Sequence, residues 1–294
     1  MQEDDLRQSS NVEDRRGMSG VGKGGLGIGA VLVLTLIGWA TGINPALLIG
    51  GAETVQQTIS PQSQQQAQSQ QQAQAPRGAP SDQMGQFVSR ILGETEDVWS
   101  KQLPAETGKP YQAPILVLFS NQTQSGCGTA QSAMGPFYCP LDRKLYLDTA
   151  FFQDMQSKLG GGGDFAYAYV IAHEVGHHVQ NLIGLLPKVQ EAEQQADKAT
   201  ANSLSVRTEL MADCLAGAWA NHMNERHNNL TQNDLQQAVS TATAIGDDRL
   251  SRAAGRAAVP DSFTHGSSQQ RVQWLTTGFQ TGTIATCNTF QANR

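Results

Sequence analysis

Charge is scarce in this chain of 294 residues: Asp, Glu, Lys and Arg make up 16% and aromatic residues only 6%. The 20 basic residues are outnumbered by 26 acidic ones, for a formal net charge of −6. With no basic surplus there is no electrostatic reason to expect a nucleic-acid partner. Cysteine is sparse too. Cys127, Cys139, Cys214 and Cys287 include no C-x-x-C pair, which argues against a cysteine zinc site or a thioredoxin-like redox motif. Four cysteines fit two disulfides in an oxidising compartment and equally four thiols in the cytosol. Internal repeats are absent.

Lysine and arginine are missing from residues 24–76, and Gly24 to Ala52 carries no charge of either sign. The 20 residues from Gly24 to Ile43 suffice, at about 1.5 Å each, to cross a hydrocarbon core of about 30 Å. The expectation is a transmembrane helix over residues 24–45, with Trp39 near its far interface and Asn44-Pro45 at its end. Arg7, Arg15, Arg16 and Lys23 precede it, so the positive-inside rule puts the N-terminus in the cytoplasm and the rest outside. A cleaved signal peptide is the other reading, although its n-region would be unusually long. Residues 1–23 read as a disordered cytoplasmic tail. Residues 46–82, rich in Gln, Ala, Ser and Pro, read as a solvated linker.

Globular patterning begins near Ser81. Met84, Phe87, Val88, Ile91, Leu92, Val98 and Trp99 recur near helical spacing. Pro114 to Phe119 reads as a buried strand, and Gly135 to Cys139 and Lys144 to Asp148 as two more around a Pro-Leu-Asp turn. Gly160 to Gly163 form a break, with Asp164 as candidate N-cap. Helices are expected over 165–181 and 203–225, from Thr231 with a capping box to Asp234, and from Ser267 with Gln270. A small sheet followed by many helices makes an α+β fold of residues 83–294.

His173-Glu-Val-Gly-His177 lies in the first of these helices. Histidines four apart share a helix face and can share a zinc ion, and Glu174 beside them can take a proton from an attacking water. The chain has six histidines in all, so the spacing is a specific signal. A third ligand at H-E-x-x-H-x-x-G-x-x-H is excluded, because Gln180 and Ile183 stand at those positions. Glu209-Leu-Met-Ala-Asp213 on the following helix offers the alternative: Glu209 as ligand and Asp213, on the same face, as acceptor for a ligand histidine's second N–H.

These two motifs resemble the thermolysin-type glutamate-zinc arrangement. With Ser125 to Thr129, Gly135 to Pro140, Leu145 to Asp148, Ala172 to Val179, Glu209 to Gly217 and Ser268 to Arg271, the chain resembles the bacterial neutral zinc metallopeptidase family across residues 83–294, with a single membrane anchor. The resemblance implies a zinc-dependent peptidase with one Zn2+ on His173, His177 and Glu209, Glu174 as base, peptide or protein substrates, and a place in the bacterial cytoplasmic membrane. It supplies no substrate preference. A zinc-binding interaction protein of the envelope and a zinc hydrolase of a non-peptide amide are the competing readings.

His265 could stabilise the oxyanion of a tetrahedral intermediate, and Arg271 could pair with a carboxylate near the site. His178 is expected to pack rather than ligate, and His222 and His227 to be solvated. Cys127 and Cys139 bracket a short loop and could bridge, which would leave Cys214 to pair with Cys287 and tie the C-terminal segment to the metal-site helix. A catalytic thiol at Cys214 is the sharper alternative.

Overall fold

The computed structural model describes residues 1–17, 77–78, 80–159 and 161–291. The expected transmembrane segment at 24–45, and nearly all of the linker at 46–82, lie outside them. Among the described residues no helix is long and apolar enough to cross a membrane.

The chain opens with strand β1 (Val12–Asp14), followed by helix α1 (Gln83–Thr107) and strands β2 (Ile115–Phe119), β3 (Gln122–Ser125), β4 (Gly128–Gln131), β5 (Phe137–Cys139) and β6 (Lys144–Asp148). Then come α2 (Ala150–Asp154), α3 (Asp164–Leu182), α4 (Leu185–Gln195), α5 (Lys198–His227), α6 (Gln232–Ala244), α7 (Asp247–Ala253) and α8 (Ser268–Thr281). One sheet runs β1-β2-β6-β5, parallel at its first two pairings and antiparallel at the last; β3 and β4 form a separate hairpin. The expected α+β class holds.

Alternation in β2 and β6 divides the core. Leu116, Leu118, Leu145 and Leu147 enter the main helical core, while Val117, Phe119 and Tyr146 pack on the other face with Ala130 and Cys139. Strands covered on both faces read as continuous apolar runs, which is why 114–119 shows no alternation in sequence. The Cys127–Cys139 disulfide joins the end of the β3–β4 turn to β5.

The N-terminus corrects the sequence reading. Residues 1–17 were expected in a disordered tail, but β1 pairs in parallel with β2, Val12 opposite Leu116. The Met1 ammonium donates to Asp234 at 2.6 Å. Arg7 reaches Glu96 and Asp97, and Ser9 and Asn11 both donate to Glu96. The composition of this stretch is polar because it packs through ion pairs, a long-range property that hydropathy does not register. Asp164 is likewise not a cap: Gly163 holds that position and Asp164 is the first helical residue. Helix α4 was unforeseen, and α5 extends beyond 203–225 at both ends. The two capping boxes, Thr231 with Asp234 and Ser267 with Gln270, are present.

Helices α5 and α8 cross at glycines. A Cβ on Gly278 would overlap the Cys214 carbonyl oxygen, and one on Gly217 would overlap that of Leu275. The Cys214–Cys287 disulfide closes the same junction. Gly278→Ala must therefore push the helices apart, and an overpacking cost of about 3 kcal/mol is expected. Urea melts of the variant read this directly; a melt within about 0.5 kcal/mol of wild type would contradict the close crossing.

Candidate metal centre

Helix α3 is buried over nearly its whole length, from Phe165 to Gln180, and α5 lies against it. Gly176 makes that approach possible: a Cβ there would stand 3.0 Å from the Ala212 carbonyl oxygen. The contact sets one turn of α5, with Glu209 and Asp213, against the face that carries His173 and His177.

His173 Nε2 lies 3.1 Å from Glu209 Oε2, and His177 Nε2 lies 3.5 Å from Glu209 Oε1. One ligand atom from each of the three residues falls within 4.8 Å of the others. The opposite ring nitrogens are occupied. His173 Nδ1 donates to Asp213 Oδ1 at 2.8 Å and His177 Nδ1 to Gln180 Oε1 at 2.9 Å, while Gln180 Nε2 donates to the Thr208 carbonyl. Both Nε2 lone pairs are thereby directed to the space beside Glu209. Two imidazoles and a carboxylate, oriented in this way and leaving a position open, suit zinc.

Asp213 is fully buried. Besides His173 it accepts from Tyr169 Oη at 2.6 Å and from Arg271 through Nε and Nη2, each at 2.9 Å. Burial opposes its charge, but Arg271 and His173 outweigh this and lower its pKa. With no metal at Nε2, burial opposes the His173 imidazolium but Asp213 and Glu209 outweigh it and raise the ring to about 10, so a metal binding there would displace a proton. Burial holds the Glu174 carboxyl above the usual range, which suits a proton acceptor.

The centre opens into a cleft of about 570 Å³. The loop before β5 and β5 itself form one wall, with Met134, Phe137 and Tyr138; α4 forms another, with Leu186 and Val189. His265 and Arg271 also line it. His265 is held by Asp247, whose Oδ2 accepts the backbone N–H of Thr264, His265 and Gly266 at 2.8, 2.6 and 3.1 Å and whose Oδ1 lies 3.3 Å from the ring. Partial burial opposes a charge on this ring; Asp247 and Glu209 outweigh it and raise its pKa.

Glu174, His265, His173, His177 and Glu209 thus come to one cleft, with Asp213 buried behind His173 and paired with Arg271. Cys214 is in its disulfide with Cys287, not a free thiol. His222 and His227 are not simply solvated: His222 binds the Gly282 carbonyl and Glu225, and His227 meets Glu94. Three residues escaped the sequence reading. Tyr169 stands four before His173 and Gln180 three after His177, so helical spacing could have found both. Asp247 carried no local signal.

His178 packs between Tyr138 and Gln112, donating from Nε2 to the Gln112 carbonyl at 2.6 Å and accepting at Nδ1 from Tyr138 Oη at 3.0 Å. Burial pushes its pKa from 6.5 down to about 4. An unfolded ring binds a proton below pH 6.5 that the folded ring refuses. Stability present above that pH is therefore lost as pH falls towards 4, by roughly 3 kcal/mol in all. NMR titration of the ring should show it neutral at pH 5; an apparent pKa near 6.5 would contradict the burial.

Residues 1–290 match the family described as "Putative neutral zinc metallopeptidase". A relative from Escherichia coli (strain K12), "Uncharacterized protein YpfJ", is 46% identical over 296 residues, covering 97% of this chain and 96% of its own. "Uncharacterized protein Rv2575" from Mycobacterium tuberculosis (strain H37Rv) is 42% identical over 226 residues, 73% of this chain and 74% of its own. No solved structure matches. The family match spans the N-terminal strand and the helices of the metal centre alike, and the chain belongs to this neutral zinc metallopeptidase family.

Proposed function

We propose that this protein is a zinc-dependent peptidase that hydrolyses peptide bonds with water. The observation that carries the reading is the convergence of His173, His177 and Glu209, with both imidazoles aimed by Asp213 and Gln180, beside Glu174 in an open cleft. The residues that would hold one zinc ion are His173, His177 and Glu209. Bound there, zinc would polarise a carbonyl and lower the pKa of a water.

The protein's own groups do the rest. Glu174 accepts the proton of the attacking water on its carboxylate and passes it to the leaving amine. His265, held by Asp247, donates a hydrogen bond to the oxygen that gains negative charge. Asp213, neutralised by Arg271, keeps His173 in the tautomer that leaves Nε2 free. The strand β5 is the edge of its sheet and borders the cleft, so an extended peptide or unfolded protein segment could add to it by main-chain hydrogen bonds. Substrates are peptides or proteins, and no nucleic-acid partner is proposed.

The test is metal content and hydrolysis of a broad peptide library by the full chain, before and after chelation. One zinc per chain, with turnover lost on chelation and restored by zinc, is the expected result. Zinc binding with turnover of wall fragments and of no peptide would replace the peptidase reading with a hydrolase of non-peptide amides. Zinc binding with no turnover at all would favour a binding protein.

A further inference from the structure

The cleft holds a carboxylate that the proposed reaction does not use. Leu186, Val189, Gln190 and Glu193 of α4 follow the i, i+3, i+4, i+7 spacing of one helical stripe, and all four line the cleft. Glu193 is half-buried, and among the described residues no Lys, Arg or His pairs with its side chain. Burial, and then the repulsion of Glu209, raise its pKa. Other charges of the cleft are matched: Glu209 faces two histidines, Glu174 accepts the Tyr138 backbone N–H and faces the same two histidines, Arg271 holds Asp213, and His265 meets Asp247.

Resting on the peptidase reading, we propose that Glu193 selects substrates that place a cationic group beside the scissile bond, either a Lys or Arg side chain or a free N-terminal amine. A neutral or acidic peptide filling the cleft would strip water from Glu193 and leave it unpaired, whereas a cation would complete an ion pair out of bulk water. Discrimination thus comes from the penalty on the wrong substrate as much as from attraction to the right one.

The experiment compares zinc-loaded wild type, Glu193→Gln and Glu193→Lys on matched peptides: Lys against Met and against Glu at each position, and free against acetylated N-termini. Wild type is expected to favour the cationic member about tenfold in kcat/KM. The Gln variant should lose that ratio, and the Lys variant should shift it towards Glu-bearing peptides. The arm that carries the ratio tells a side chain from an N-terminal amine. Binding of the same peptides to Glu174→Gln protein, with and without Glu193→Gln, gives a readout independent of turnover. A ratio equal in all three proteins would overturn the proposal and leave the peptidase reading standing. No hydrolysis of any peptide would remove that reading and this one with it.

The fold is left after Gly17 and re-entered at Arg77, and the two points adjoin: Gly78 N–H donates to the Val12 carbonyl at 3.0 Å and Glu13 bridges to Arg77. Between them lies the uncharged run Gly24 to Ala52. A single crossing there would hold β1 and β2 apart by a hydrocarbon layer of about 30 Å. It would also take Arg7 from the buried Glu96, the Met1 ammonium from Asp234, and Glu13 from Lys144. We infer that residues 1–16 and the metal-centre domain stand on the same side of the membrane, in place of the cytoplasmic N-terminus and exported domain expected from charge placement. Gln8→Cys and Lys101→Cys, each at an exposed position, would be made separately in the full chain. Both would be treated with a membrane-impermeant thiol reagent in intact bacterial cells and after permeabilisation. The two sites should label together, in both conditions or only in the second. Labelling of one site alone in intact cells would overturn the inference.

Discussion

Replacing Glu174 by Gln in the full chain is expected to leave one zinc bound and to lower peptide hydrolysis by roughly 10²–10⁴-fold, the usual contribution of a general base. The residue is 9% exposed and lines the cleft next to His173 without being one of the three ligands. Gln keeps its size and hydrogen-bonding reach and removes only the capacity to take a proton. A variant that loses zinc and activity together would mean that Glu174 supports the metal centre instead of the proton transfer. A variant with zinc and unchanged turnover would remove it from the mechanism. The measurement is metal content by elemental analysis beside kcat on one good substrate.

The second large effect is expected at Arg271. Its guanidinium and the Asp213 carboxylate are both buried, joined by two hydrogen bonds of 2.9 Å. Arg271→Met keeps much of the volume but leaves a carboxylate inside the protein with its charge opposed only by His173. Breaking one side of such a pair costs about 3–5 kcal/mol. The same change loosens the orientation of His173, for which a 10–100-fold loss of zinc affinity is expected. Denaturant melts and a competitive zinc titration separate the two consequences. Arg271→Lys restores charge without the planar fork and should recover stability more than zinc affinity. Wild-type zinc affinity in the Met variant would show that Asp213 holds His173 without help, and the proposed positioning chain would end at Asp213.

Much of this site was legible because it is local. The spacing of His173 and His177, and of Glu209 and Asp213, follows from 3.6 residues per turn, and each pair shares a face whatever surrounds it. Tyr169 and Gln180 obey the same rule and were readable by it. Asp247 was not: it contacts His265 from eighteen positions away, at the start of a seven-residue helix with no pattern to single it out. Glu193 shows a further limit. Its helical stripe is visible in sequence, but whether that stripe faces solvent or a cleft depends on what packs opposite.

The sequence by itself determined the helices of the metal centre, the strands β2, β5 and β6, both capping boxes and the chemical identity of the three candidate ligands. Each rests on periodicity or on a contact within one or two turns, where backbone geometry alone sets the neighbours. Tertiary structure decided which helix faces meet. It brought Glu209 to the two histidines through the glycine contact at Gly176, locked α8 to α5 through Gly217, Gly278 and the Cys214–Cys287 bond, and ran Arg271 into Asp213. It also folded the first sixteen residues onto the domain, with Val12–Asp14 in the sheet, against their polar composition. Those outcomes depend on close approach, ion pairing and backbone hydrogen bonding between distant segments, which leave no periodic mark along the chain.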